Sequence, residues 1–151
     1  MQIAETEKTP ELIFAKSRLA PVTGISIPRL ELMAVLTGVR CLGFIREQLR
    51  LPIHAVYLFT VSQCTLKWIS STRSLSVFVN NRVCKIRTHA DIRFHYIQSK
   101  ENPADLTSRG CTLEKLLQSE LWWHGPVWLS RDMSEWPVNT EDKTEDENVT
   151  Q

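Results

Sequence analysis

A long helix between two prolines is the feature that most constrains how this chain folds. Pro28 stands where a helix can begin, because its fixed φ angle and missing N–H suit a first turn, and Pro52 ends the pattern. Between them, apolar and small residues recur at steps of three and four, which predicts one amphipathic helix over about 28–50. The residues on this stripe are Leu30, Ala34, Gly38, Cys41, Leu42, Ile45 and Leu49.

Three segments have the pattern of a strand, one before the long helix and two after it. Residues 12–19 predict a strand ahead of the long helix, closed by Pro21 and Gly24. Residues 53–60 are apolar almost throughout, which is typical of a strand buried on both faces of a mixed or parallel sheet. Residues 92–97 alternate well enough for one more strand. Strands that alternate with helices predict an α/β fold.

Short helices are predicted between the second and third strands and after the third strand. Ser62 can cap a helix after the central strand, and Ser74 or Ser76 can begin the next. Asn102 and the proline after it can begin another helix, and residues 112–121 make a last one. The predicted order of elements is therefore strand, helix, strand, two helices, strand and helices.

The formal net charge of +1 conceals an uneven distribution. Residues 16–131 hold sixteen basic and seven acidic side chains, whereas residues 132–151 hold one basic and seven acidic side chains. A basic body predicts a surface that faces a polyanion, although an ordinary solvated surface with a disordered tail has the same charges. We expect a flexible N-terminus over 1–10, a domain over 11–130 and a disordered acidic tail over 131–151.

The sequence predicts an intracellular chain, cytoplasmic or nuclear, that does not bind a membrane. No apolar run approaches the roughly 18 residues that span a bilayer. The first residues lack the basic and apolar regions of a secretory signal.

Two acidic residues are predicted near the ends of buried elements. Glu31 is expected in the first turn of the long helix, and Asp105 in the first turn of the helix after the last strand. Ligands of open α/β sheets bind beyond the strand ends, so a metal-dependent enzyme would have an acid at the end of the central strand. Val61 occupies that position instead.

Seven strings in this order resemble the ribonuclease H-like domain in polyproteins of Pao/BEL retrotransposons, over about residues 12–129. Any one string alone would be a weak signal, but seven in order are a strong one. The strings are AKSRLAP (15–21), IPRLEL (27–32), YLFTVS (57–62), WI (68–69), FVNNRV (78–83), ENPADLTSRG (101–110) and LWWHGP (121–126).

The resemblance implies a ribonuclease H-like mixed sheet flanked by helices, with four carboxylates that hold two Mg²⁺ ions about 4 Å apart. Glu31 matches the second carboxylate and Asp105 the fourth, so both are candidate catalytic and metal-binding residues. Val61 replaces the third, and the first is expected on opening strands that this chain lacks. The resemblance therefore implies a partial, degenerate copy that holds Mg²⁺ weakly or not at all and does not cleave.

Arg18, Arg29, Arg82 and Arg109 lie within the strings and are candidate nucleic-acid contacts. They could bind phosphates of an RNA–DNA hybrid, or they could be ordinary surface charges. Two other functions stay open at this point. One is an active Mg²⁺-dependent hybrid nuclease within a longer polyprotein, and the other is a protein–protein module that binds a partner chain at an exposed sheet edge.

Overall fold

The structure is a computed structural model that describes residues 9–137 of the chain. These residues form six α-helices and a sheet of two parallel strands, with short 3-10 helices at 99–101, 127–130 and 133–135. This mixed α/β architecture is consistent with the predicted fold class. The elements in chain order are α1 (Ile27–Leu49), β1 (Val56–Thr60), α2 (Gln63–Ser70), α3 (Val77–Arg87), β2 (Ile92–Tyr96), α4 (Pro103–Arg109), α5 (Leu113–Leu117) and α6 (Glu120–His124).

Helix α1 confirms the long helix predicted from the sequence. Pro28 lies in its first turn, and the helix ends at Arg50, whose φ angle of 47° places it in the left-handed region that ends helices. The stripe predicted to face the core is wrong, because none of its seven residues is buried and two of them, Ala34 and Leu49, are exposed. The buried face of α1 lies one or two residues away on the helix and forms a large part of the core. Its buried residues are Leu32, Val35, Leu36 and Val39.

The sheet pairs β1 with β2 in parallel, from Val56 opposite Ile92 to Thr60 opposite Tyr96. Both strands lie within one or a few residues of their predicted positions. The chain between them forms α2 and α3, because parallel strands need a crossover connection. Ser62 caps α2 as predicted, and its Oγ accepts a hydrogen bond from the Thr65 amide.

One face of the sheet is covered by α1, α2 and α3. Alternate residues of the strands point into this layer, where they pack against the buried side chains of α1 and α3. Gly38 of α1 lies directly above Leu58, because a Cβ at residue 38 would be 3.3 Å from Leu58 Cδ1. A residue without a side chain thus lets the helix approach β1 closely.

The end of α2 is closed by an arginine from another helix. The Arg87 guanidinium, at the last residue of α3, donates hydrogen bonds to the carbonyls of Trp68, Ile69 and Ser71. The Trp68 carbonyl also accepts from the Ser71 N–H, so Arg87 adds donors at the end of the helix, where the last carbonyls lack the usual partners of a helix interior.

The opposite face of the sheet is covered by aromatic side chains from the C-terminal part of the described chain. Phe59 contacts Trp128 and Trp136 with ring centroids 5.4 and 5.8 Å apart, and Tyr57 contacts Trp136 at 5.0 Å. These rings border an open pocket of about 320 Å³, which Pro103 also lines.

The predicted strand over 12–19 is wrong. The segment has no regular secondary structure and pairs with no strand in the described chain, and all of residues 11–20 are exposed. Its contacts are few: the Leu12 amide donates to the Trp123 carbonyl, and Phe14 contacts Phe44. A strand pattern needs a neighbouring strand to become a ladder, and residues 9–137 offer this segment none.

Two further boundaries differ from the prediction. The single helix expected over 112–121 is divided into α5 and α6, because Ser119 caps a new helix through the Trp122 amide. The tail expected to be disordered from 131 begins with residues 131–137, which contain a 3-10 helix and place Trp136 against the sheet. Residues 138–151 of that tail, and 1–8 of the predicted flexible N-terminus, lie outside the described residues. Within 9–137, no helix is both long and apolar enough to cross a membrane.

Candidate functional site

Helix α1 runs in the direction opposite to the strands, and this direction determines which of its residues lie near each end of the sheet. Near the C-terminal end of α1, Arg46 forms an ion pair with Asp91, which directly precedes β2. The other end of α1 therefore extends toward the opposite end of the strands, where Thr60 and Tyr96 close the ladder. Glu31 is near that end of α1, and Asp105 is in the helix that follows β2.

Two arginines contact one aromatic ring where α1 and α3 pack against each other. The Arg82 guanidinium carbon lies 3.5 Å from the centroid of the Phe78 ring, and that of Arg29 lies 5.0 Å from it. Arg82 is held further, because Nε donates to Met33 Sδ at 2.9 Å and Nη1 donates to the Phe78 carbonyl at 2.9 Å. We call Arg29, Phe78 and Arg82 the arginine–phenylalanine cluster.

The cluster has an excess of positive charge. The ion pairs found within residues 9–137 involve neither Arg29 nor Arg82. Cation–π contact with a neutral ring stabilises a guanidinium without neutralising its charge. The remaining N–H donors of both arginines are therefore available to an anion such as phosphate.

Glu31 differs from its predicted place by one turn. Helix α1 begins after Ser26 and has no acidic residue in its first turn, so Glu31 lies in the second turn and is half-buried. The prediction that Glu31 lies in the first turn of α1 is therefore wrong, and at its actual position the helix dipole favours an acidic side chain little, because that effect falls off beyond the first turn.

Asp105 lies in the first turn of α4, as predicted. Its carboxylate forms an ion pair with Arg109, whose Nε lies 2.9 Å from Oδ2, one helical turn further along. The side chain is about one-third exposed, whereas that of Arg109 is largely exposed. A cation that used this carboxylate would have to compete with the guanidinium.

The acidic residues present do not fit the two Mg²⁺ ions that the resemblance implies. Within residues 9–137, no group of three or more His, Cys, Asp and Glu side chains is arranged to hold a metal ion. Val61, the half-buried residue after β1, has no donor atom in its side chain, and Asp105 is already paired with a cation. Mg²⁺ is held by oxygen ligands in near-octahedral geometry, which this set does not supply.

The four candidate arginines therefore separate into three environments. Arg29 and Arg82 come together on Phe78, although they are distant in sequence. Arg109 is paired with Asp105 within α4. Arg18 lies in the exposed, irregular segment before α1, and the ion pairs found in the described chain do not include it.

Two carboxyl groups have pKa values below their ordinary range. The hydrogen bond from the Arg46 side chain lowers the pKa of Asp91, and the backbone N–H of Ser134 lowers the pKa of Asp132. Neither residue lies in the arginine–phenylalanine cluster, so these shifts stabilise the fold locally and do not indicate a catalytic acid.

Sequence reasoning did not identify Phe78 and Met33 as parts of this site. Phe78 and Arg82 are four residues apart on a helix, and this spacing could have indicated their contact. The approach of Arg29 and Met33 from α1 has no local signal, because it depends on how α1 packs against α3.

Comparison with known families identified the first part of the chain. The sequence model of the Pao retrotransposon-like RNaseH-like domain matches residues 1–62, which include α1, β1, Glu31 and Val61. The strings beyond residue 62, and with them Asp105, Arg82 and Arg109, lie outside this match. Neither the curated proteins nor the solved structures gave a match. The resemblance to the Pao retrotransposon RNaseH-like domain is confirmed over residues 1–62, and a match to this part alone is consistent with a partial copy of the domain.

Proposed function

We propose that this chain is a retrotransposon-derived, ribonuclease H-like domain that binds RNA–DNA hybrids weakly and does not cleave them. The family match over residues 1–62 supports the origin of the domain. The observation on which the binding rests is the arginine–phenylalanine cluster, with two guanidiniums that no carboxylate neutralises within residues 9–137.

The cluster suits phosphate better than it suits bases. The Arg82 guanidinium, 3.5 Å from the centroid of Phe78, occupies a face of this ring, which makes the ring a poorer platform for base stacking. Phosphate contacts position a nucleic acid without reading its sequence, so we expect binding that is insensitive to sequence and sensitive to salt.

The loss of cleavage is supported by the ligand set. Hydrolysis by two metal ions needs carboxylates that neutralise and hold both ions on either side of the scissile phosphate. Val61 supplies none, and Asp105 is paired with Arg109. The proposed function therefore includes no catalytic step.

The binding test is fluorescence anisotropy of a labelled RNA–DNA hybrid, titrated with the full chain at several salt concentrations. We expect Arg29→Gln and Arg82→Gln each to weaken binding and to reduce the slope of log K against log salt by about 1. The matched control is Arg40→Gln, an exposed arginine on the same helix as Arg29. An equal effect of all three variants would show that the cluster is not the binding site.

The cleavage test is release of label from the hybrid in Mg²⁺ or Mn²⁺. The unmodified chain is expected to release none, and Val61→Asp alone should not restore cleavage, because the first carboxylate would still be missing. Cleavage by the unmodified chain that disappears in Asp105→Asn would instead establish the active nuclease.

A further inference from the structure

The outer edge of β1 has unpaired backbone groups. The Ile97 N–H donates to the Thr60 carbonyl at 2.9 Å, so the backbone groups of Thr60 face β2. Backbone groups point to opposite edges at successive residues of a strand, so those of Tyr57 and Phe59 face away from β2. Within residues 9–137, β2 is the only strand that pairs with β1, and no loop bonds to these outward groups.

This edge lacks the features with which proteins prevent pairing between exposed strands. Residues 56–60 include no charged residue and no proline, and their register with β2 is continuous, without a bulge. Exposed edges are normally protected by lysine, proline, a bulge or a covering element. An uncharged, regular edge with free donors and acceptors is suited to the addition of another strand.

We propose that the partner at this edge is β1 of a second copy of this chain, paired antiparallel about a twofold axis through Leu58. In that register, Tyr57 of one copy is opposite Phe59 of the other, and each pair exchanges two N–H···O=C hydrogen bonds. All outward backbone groups of Tyr57 and Phe59 are then satisfied in both copies. The edge is thus complementary to itself in length, hydrogen bonding and lack of charge.

The size of the contact indicates a weak to moderate dimer. Stable interfaces bury about 1,600 Å² in total, and two five-residue strands alone supply less than that. Leu51 and Ile53, which precede β1 in the chain, are exposed by 61% and 41% and are therefore available to a second copy. Their burial would add the area that the strand pair itself lacks.

The test is sedimentation equilibrium of the full chain from low to high micromolar concentration. We expect a mass that rises from one chain to two and then stays constant. A mass of one chain throughout would overturn the proposal, as would a mass that continues to rise beyond two, because symmetric pairing uses up the edge.

A matched pair of variants isolates the outward N–H. Tyr57→Ala and Tyr57→Pro both remove the side chain, but only the proline removes the N–H that faces the second copy. We expect Tyr57→Pro to dimerise at least about tenfold more weakly than Tyr57→Ala, with circular dichroism to verify that both are folded. Equal dimerisation of the two variants would contradict the proposed pairing.

Amide hydrogen exchange of the unmodified chain gives a readout that does not depend on variants. The amides of Tyr57 and Phe59 should gain protection as the protein concentration rises, whereas that of Leu58, which faces β2, should be protected at all concentrations. Exchange at Tyr57 and Phe59 that does not change with concentration would rule the interface out.

Discussion

The two faces of the β1–β2 sheet are covered in different ways. The first face packs against three helices through aliphatic side chains, and Leu32, Val83 and Ile86 of this layer have no exposed surface. The second face is covered by Trp128 and Trp136, which reach it from short 3-10 segments near the end of the described chain.

The difference shows that the way in which a sheet face is buried depends on whether a helix or an irregular segment covers it. A helix presents several apolar residues to the sheet at once, at positions that its period determines. An irregular segment presents only one or two side chains to the sheet. Aromatic rings compensate for this small number, because each ring covers a large area. The helical face should therefore determine global stability, and the aromatic face should be the part that opens first.

The largest expected effect is on the helical face. Leu32→Ala should lower the free energy of unfolding by about 3 kcal/mol and the melting temperature by about 10 °C, because it leaves a cavity at a fully buried position. Ile27→Ala, at an exposed position of the same helix, is the control and should have an effect below about 0.5 kcal/mol. Similar effects of the two substitutions, measured by thermal and urea unfolding, would contradict the role of the buried helical face in global stability.

The aromatic face should respond less and more locally. Trp136→Ala should cost about 2 kcal/mol, less than a fully buried tryptophan, because Trp136 is only half-buried. Near-UV circular dichroism should lose aromatic signal while the far-UV helical signal remains. Trp136→Phe keeps a ring against Phe59 and should lose less of both. A loss of helix in Trp136→Ala would show that the two faces unfold together.

A buried hydroxyl tests how well the helical face is packed. Thr65 has no exposed surface, and its Oγ1 has no hydrogen-bond partner in the described chain. Thr65→Val keeps the shape and removes the unsatisfied group, so it should stabilise the protein by about 1 kcal/mol. Thr37→Val is the contrast, because the Thr37 hydroxyl donates to the Met33 carbonyl at 2.9 Å. Chemical denaturation should show stabilisation by the first substitution only.

The smallest effect concerns the ion pair that ties α1 to the start of β2. The Arg46 hydrogen bond lowers the pKa of Asp91 from its ordinary value of 3.8, so the pair stabilises the fold above that value. The contribution is lost as the pH falls through the lowered pKa of the folded state. Asp91→Asn should therefore be slightly less stable than the unmodified chain near pH 7 and equally stable well below pH 3.8. Urea unfolding at both pH values would show whether the difference persists in acid, which would contradict this role.

The elements of the helical face could be predicted from the sequence, but the side of α1 that is buried was predicted wrongly. The period of the residues from Leu30 to Leu49 determines α1, and the apolar run before Ser62 determines β1, because both signals lie within the element itself. The strand over 12–19 was wrongly predicted for the same reason. Its pattern is local, but a strand also needs a neighbour that local sequence cannot reveal.

The sequence could predict the charged residues of the candidate site, but it could predict little of how these residues are arranged. Arg29 and Arg82 were identified within family strings, but their meeting on Phe78 depends on the packing of α1 against α3. The ion pair between Asp105 and Arg109 has the four-residue spacing of a helix and was visible in the sequence. The contact between Phe59 and Trp136 had no local signal, because the chain returns to the sheet through irregular turns.

Arg87 has a consequence for the order in which this protein folds. An eight-residue helix such as α2 is marginal by itself, since few of its backbone groups are paired within it. The donors that complete its C-terminal end belong to the last residue of α3 and are in place only after the two helices have met. Helix α2 is therefore consolidated by tertiary contact, together with α3 or after it, and does not act as a nucleus from which the rest of the fold grows.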